Sequence, residues 1–72
     1  MEDWNAKATL ILRAEMVKRR VRFAELARRL GEMGEPQSTA VVSNKINRGT
    51  FSAGFFLQCL AALEVRSLRF DE

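Results

Sequence analysis

The side chains with the most directed chemistry in this chain lie between Gln37 and Gly49, in the run QSTAVVSNKINRG. A side-chain amide can exchange two hydrogen bonds with an adenine edge, and a Lys or Arg can address a guanine edge or a phosphate. Gln37, Thr39, Asn44, Lys45 and Arg48 are therefore the candidates for reading base edges. Ser38, Ser43 and Asn47 are candidates for phosphate, Ser38 with the support of a helix N-terminus. The plainer alternative is that Ser38 and Thr39 only cap a helix while Asn44, Lys45 and Asn47 only solvate its face.

A short helix has to position these groups. Ser38 or Thr39 supplies its start signal and Gly49 its stop, with Ala40, Val41 or Val42, and Ile46 on the apolar side. A polar front backed by a narrow apolar side is the pattern of a helix whose back meets a core. Charge is segregated around it. From Lys18 to Arg29 there are six basic residues and one acid, Glu25, and from Pro36 to Leu63 there is no acid at all. Arg19, Arg20 and Arg22 are the cationic candidates for phosphate, giving affinity that is salt-dependent and blind to sequence.

The rest of the chain reads as the platform. Asp3 is placed to cap a first helix over about Trp4 to Arg20, with Trp4 as a packing anchor at its start. Its apolar residues form two faces, one with Ala8, Ile11, Leu12 and Met16, the other with Ala6, Leu10, Ala14 and Val17, so the second face is expected to meet a partner or the tail. Arg22 to Leu30 repeats apolar residues at helical spacing (Phe23, Leu26, Ala27, Leu30), and Gly31 is placed to end that helix. A loop follows, GEMGEPQ. Thr50 or Ser52 then starts a fourth helix to about Leu63, with Phe56, Leu60 and Leu63 as a core stripe and Ala53 and Leu57 beside it. That helix is apolar nearly all round, and in a chain of 72 residues this points to a second copy. Phe55, Cys59 and Ala62, with Leu68 and Phe70 of an extended tail, are the candidate dimer contacts; Leu68–Phe70 alternate as a half-buried strand does.

Composition bounds the alternatives. A single domain over residues 1–72, 47% hydrophobic and 29% charged, is globular, with a core near the lower limit of size. There is no His and one Cys, which excludes a one-chain zinc site, a disulfide framework and a Cys–His nucleophile. With no paired carboxylates on one helix face and no phosphate-cradling Gly loop, neither an enzyme, a small-molecule substrate nor a cofactor is expected. The N-terminus carries Glu2 and Asp3 rather than a basic leader, and no apolar run reaches the ~20 residues of a bilayer span, so a cytoplasmic protein without membrane contact is expected.

The run LRAEMVKRRVRFAELARRLG resembles the first two helices of Cro/C1-type, lambda-repressor-like helix-turn-helix domains, with Leu26-Ala27 and Leu30-Gly31 at the "LA..LG" positions. SNKINRGTFS resembles the end of their recognition helix, and FFLQCLAALEV the helix after it. A tighter resemblance, through KA at 7–8, AEL at 24–26, NKINRG at 44–49 and FSAGFFLQCLAALEVRSLR at 51–69, is to a family of small bacterial domains of unknown function. The helix-turn-helix resemblance implies an all-α fold of four helices, with room for a fifth element, and a short extended C-terminal tail. It further implies a homodimeric transcriptional regulator binding double-stranded DNA through helix 37–48. Three features depart from that pattern: a longer loop before the third helix, Arg22 where Ser or Thr caps the second, and Arg20 where Gly is usual. The alternative function is a protein-interaction or oligomerisation module that uses helix 52–63 and the tail without DNA.

Overall fold

Three of the four helix starts follow from a side chain that accepts a first-turn N–H. Asp3 Oδ1 accepts from Ala6, Ser38 Oγ from Val41 and Ser52 Oγ from Phe55, at 3.1, 3.1 and 3.0 Å. The computed structural model describes residues 3–68 and contains, among them, helices α1 (Trp4–Arg19), α2 (Phe23–Glu32), α3 (Thr39–Arg48) and α4 (Ala53–Ala62) and no strand. The chain is thus an all-α domain. Ser38 rather than Thr39, and Ser52 rather than Thr50, hold the cap positions.

The helix ends are set by left-handed residues that return the last carbonyls to the chain. Arg20 takes φ 59°, its N–H donates to Val17 O, and Val21 N–H donates to Met16 O, with both Val21 and Met16 buried. The second helix corrects the sequence reading: it runs through Gly31 to Glu32. Gly34, at φ 92°, is the residue that turns the chain, because there Glu35 N–H reaches Leu30 O (2.9 Å) and Gly34 N–H reaches Gly31 O (3.0 Å). Glu64 at φ 61° ends α4 in the same manner, with Val65 N–H on Leu60 O.

Both α1 and α2 pack across α3 and α4. Leu12, Leu26, Leu30, Val42, Ile46 and Cys59 lose all contact with solvent at the centre. Val42, not Val41, is the buried member of its pair, and Ala40, expected on the apolar side, faces out. Of the two apolar faces of α1, Leu12 and Met16 enter the core, while Leu10 and Val17 stay 67% and 76% exposed. Trp4, expected to anchor the helix start, is 67% exposed with Lys7 Nζ 5.3 Å over its ring.

The fourth helix keeps its expected core stripe, with Leu60 and Leu63 buried and Phe56 half-buried, and buries a second line beside it. Phe55, Cys59 and Ala62, expected at a dimer interface, are buried inside this one chain and have no surface left to offer. Leu57, expected beside the core stripe, is 63% exposed, and Ala53 is exposed with it. Both apolar lines enter the core, Phe55, Cys59 and Ala62 from one and Leu60 and Leu63 from the other, and the Phe55 ring packs against Phe51 at 5.6 Å. The described tail, residues 65–68, is without strand pairing; Val65 packs on the core and Leu68 is exposed, while Phe70 lies outside the described residues. Among the described residues no helix is long and apolar enough to cross a membrane.

Candidate functional site

With Val42 and Ile46 held in the core, helical geometry turns Ala40, Asn44 and Arg48 outward on one line, with Val41 beside them. The C-terminal end of this helix is pinned to α1. Thr9 Oγ1 donates to Ile46 O at 2.6 Å, and Gly49 (φ 70°) lies so close to α1 that a Cβ there would stand 2.6 Å from Asn5 O. The outer line is therefore held on a fixed platform.

Its two edges differ. On the α4 side, Lys45 Nζ donates to Gln37 Oε1 at 2.7 Å and stands 4.9 Å from the Phe55 ring centre. Gln37 and Lys45, two of the base-reading candidates, are thus brought together and engaged with each other. On the α1 side, Arg13 Nη1 donates to Asn47 Oδ1 at 2.7 Å, and Asn47 Nδ2 donates to Ser43 Oγ at 3.3 Å. The same guanidinium lies 5.3 Å over the Phe23 ring at the start of α2. Arg13 thus joins the edge of α3 to a groove of about 530 Å³ lined by Met16, Val17, Val21 and Phe23 and rimmed by the exposed Arg13, Arg20 and Arg22.

That groove contains the opening turn of α2. Arg22 occupies its N-cap position without a side-chain capping bond, so the first-turn N–H groups are left to solvent or to an anion. Arg20 and Arg22 are exposed and form no ion pair among the described residues. Arg19, grouped with them in the sequence, is turned away and donates to Glu15 at 3.0 Å. Ser38 is engaged as a cap, Thr39 is exposed in the first turn of α3, and Asn44 and Arg48 stand free on the outer line with no hydrogen bond to another side chain among the described residues. Arg13 is the residue that the sequence reading missed. Its place four residues after Thr9 on one side of α1 becomes a signal only once α3 is known to cross there.

No metal-binding cluster of His, Cys, Asp or Glu occurs among the described residues. The buried Cys59 thiol is pushed up to about 12 by burial, which outweighs the opposing pull of Lys45, so it remains a protonated, unreactive part of the core. The arrangement is equipped to bind, through outward amide, guanidinium and methyl groups.

The profile of a family described as a domain of unknown function (DUF6471) matches residues 4–68, which spans all four helices. The chain is a member of the DUF6471 family. No curated protein and no solved structure matches the chain. In this DUF6471 member the matched region begins at the first residue of α1 and ends at Leu68, so both edges of the outer line of α3 belong to the family's domain.

Proposed function

We propose that this domain binds double-stranded DNA in the manner of a helix-turn-helix protein, as a small homodimeric transcriptional regulator of the cytoplasm, with α3 in the major groove. The observation that carries the proposal is the outer line of α3, Ala40, Asn44 and Arg48, left uncovered between cations on both sides: Lys45 on one edge, and Arg13 with Arg20 and Arg22 on the other. Asn44 suits an adenine edge, Arg48 a guanine edge, and the Val41 methyls a thymine methyl. Arg20 and Arg22, beside the open first turn of α2, suit the phosphates flanking the groove.

A helix of this length reads too few base pairs alone, and a two-fold pair matches a palindromic site. With Phe55, Cys59 and Ala62 inside the monomer, the outer line of α4, Ala53, Leu57 and Ala61, is the candidate contact between copies, with Leu68 at its margin. Leu57 lies midway between Ala53 and Ala61, so it can meet its own copy across a two-fold axis with the small residues on either side allowing close approach. The loop over residues 33–38 is longer than the tight turn of Cro/C1-type domains, and Pro36 in it keeps Glu35 extended before α3 begins.

The test is duplex binding measured against salt on a pool of random sequences. Affinity should fall steeply as salt rises, Arg22→Ala should reduce the slope of log affinity against log salt by about one, and Asn44→Ala should relax the selected sequence. Absence of duplex affinity at low salt removes the reading. In that case, retention of self-association lost on Leu57→Asp would leave an interaction module built on α4.

A further inference from the structure

We infer that the groove at the corner of α1 and α2 is a binding site for an amphipathic anion, an apolar chain that carries a carboxylate. Phosphate contact employs only the arginines of this groove and gives its apolar lining nothing to do. Arg13, Val17 and Arg20 are spaced by 4 and 3 along the last turns of α1 and its cap, and all three line the groove. Val21 and Phe23 join them from the turn and the start of α2. Val17 keeps 76% of its surface, more than any other large apolar side chain among the described residues. With the half-buried Phe23 it forms an apolar surface that no part of the described chain covers. The volume of about 530 Å³ falls within the ~300–1,000 Å³ of small-molecule sites.

Charge decides the ligand. No carboxylate lines the groove. Arg13 contacts neutral groups, the Asn47 amide and the Phe23 ring, and Arg20 and Arg22 form no ion pair among the described residues. The acids nearest in sequence are engaged elsewhere, Glu15 with Arg19 at 3.0 Å and Lys18 at 3.7 Å, Glu25 with Arg28 and Arg29. Three guanidinium groups thus border one groove with their charge unanswered, and the planar fork of each fits the two oxygens of a carboxylate. A duplex phosphate supplies the charge but no apolar body to cover Val17 and Phe23, and a neutral apolar molecule does the reverse. An alkyl carboxylate supplies both. Because Arg20 and Arg22 are also the proposed phosphate contacts, the bound anion would compete with duplex, a consequence that rests on the function proposed above.

The experiment titrates octanoate, below its micelle concentration, into the full chain without DNA and follows backbone amide shifts by NMR. Octanoate should saturate, with the largest shifts at Val17, Val21 and Phe23, and bind more weakly at about 500 mM than at about 50 mM salt. It should bind at least about tenfold tighter than acetate, which lacks the chain, and than octanol, which lacks the charge. Arg22→Ala and Val17→Ser, both at exposed positions, should each weaken it at least about fivefold with unchanged circular dichroism. Met33→Ser, at an exposed apolar residue beyond the far end of α2, should leave it intact. Acetate, octanol or octylammonium binding as tightly as octanoate overturns the proposal, as do shifts spread evenly over the chain or indifference to both groove variants. So does either rival occupant in place of octanoate: a dimer of this chain dissolved by Arg22→Ala, or adsorption to phosphatidylglycerol vesicles lost in that variant. Octanoate binding by a chain that shows no duplex affinity would retain the groove site and remove only the duplex reading.

Discussion

Two left-handed residues set opposite demands on the chain. Gly49 cannot be replaced without cost, since Ala would be strained at φ 70° and its Cβ would meet the backbone oxygen of Asn5, which has little room to move. Gly49→Ala should destabilise the domain by about 2–4 kcal/mol in denaturant unfolding, the sum of left-handed strain and overpacking. Arg20 is the reverse case: a β-carbon-bearing residue at φ 59°, where Gly would be relaxed. Arg20→Gly should raise stability by about 1 kcal/mol, or about 4–8 °C in Tm, and at the same time weaken duplex binding by removing a cation from the groove rim. A variant that gains stability and loses nothing in duplex affinity would take Arg20 out of the proposed interface.

Among the elements, α2 carries a charge cluster that ties it to α4. Glu25 takes both Arg28 (2.7 Å) and Arg29 (2.9 Å), and Arg29 Nη1 donates to Ala62 O, one of the last carbonyls of α4, at 2.9 Å. The hydrogen bonds from Arg28 and then Arg29 hold the Glu25 carboxyl down from 4.5 to about 2. A carboxyl whose pKa is lower folded than unfolded contributes stability that is complete above the unfolded value and lost as pH falls through the folded one. Unfolding midpoints should therefore fall between about pH 4.5 and about pH 2, and Glu25→Gln should flatten that part of the profile. The cluster is solvent-exposed, so high salt should shrink the difference.

For the molecule as a whole, the core is small and each of its central side chains matters. A domain of 72 residues has a total stability of roughly 4–11 kcal/mol. Truncating fully buried Leu30 or Ile46 to Ala should remove about 2–5 kcal/mol, enough for a large unfolded fraction at 37 °C by circular dichroism. Leu57→Ala removes a side chain that the monomer hardly buries, so it should leave monomer stability nearly unchanged and lower only the self-association seen in sedimentation. Cys59 reports on the same core: it should resist a thiol reagent at neutral pH until the domain unfolds.

The four helices, the cap at Asp3, the caps of α3 and α4 to within two candidates each (Ser38 or Thr39, Thr50 or Ser52), and the stop at Gly49 were legible in the sequence because each depends on residues within one helical turn of its neighbours. So was the polar front of α3, since burial of Val42 and Ile46 turns Asn44 and Arg48 outward by helical geometry alone. Whether Gly31 or Gly34 ended α2 turned on which position let the Leu30 and Gly31 carbonyls find donors, a matter of backbone geometry that both glycines permit. Tertiary packing decided the rest. Periodicity gave α1 and α4 two apolar faces each; packing admits one face of α1, so Leu12 goes in and Leu10 stays out, whereas α4 buries both Phe55 and Leu60 and leaves Leu57 outside. Arg13 entered the candidate site for the same reason: its partners Asn47 and Phe23 are distant in sequence, and only the crossing of α1 over α3 brings them within reach of one guanidinium.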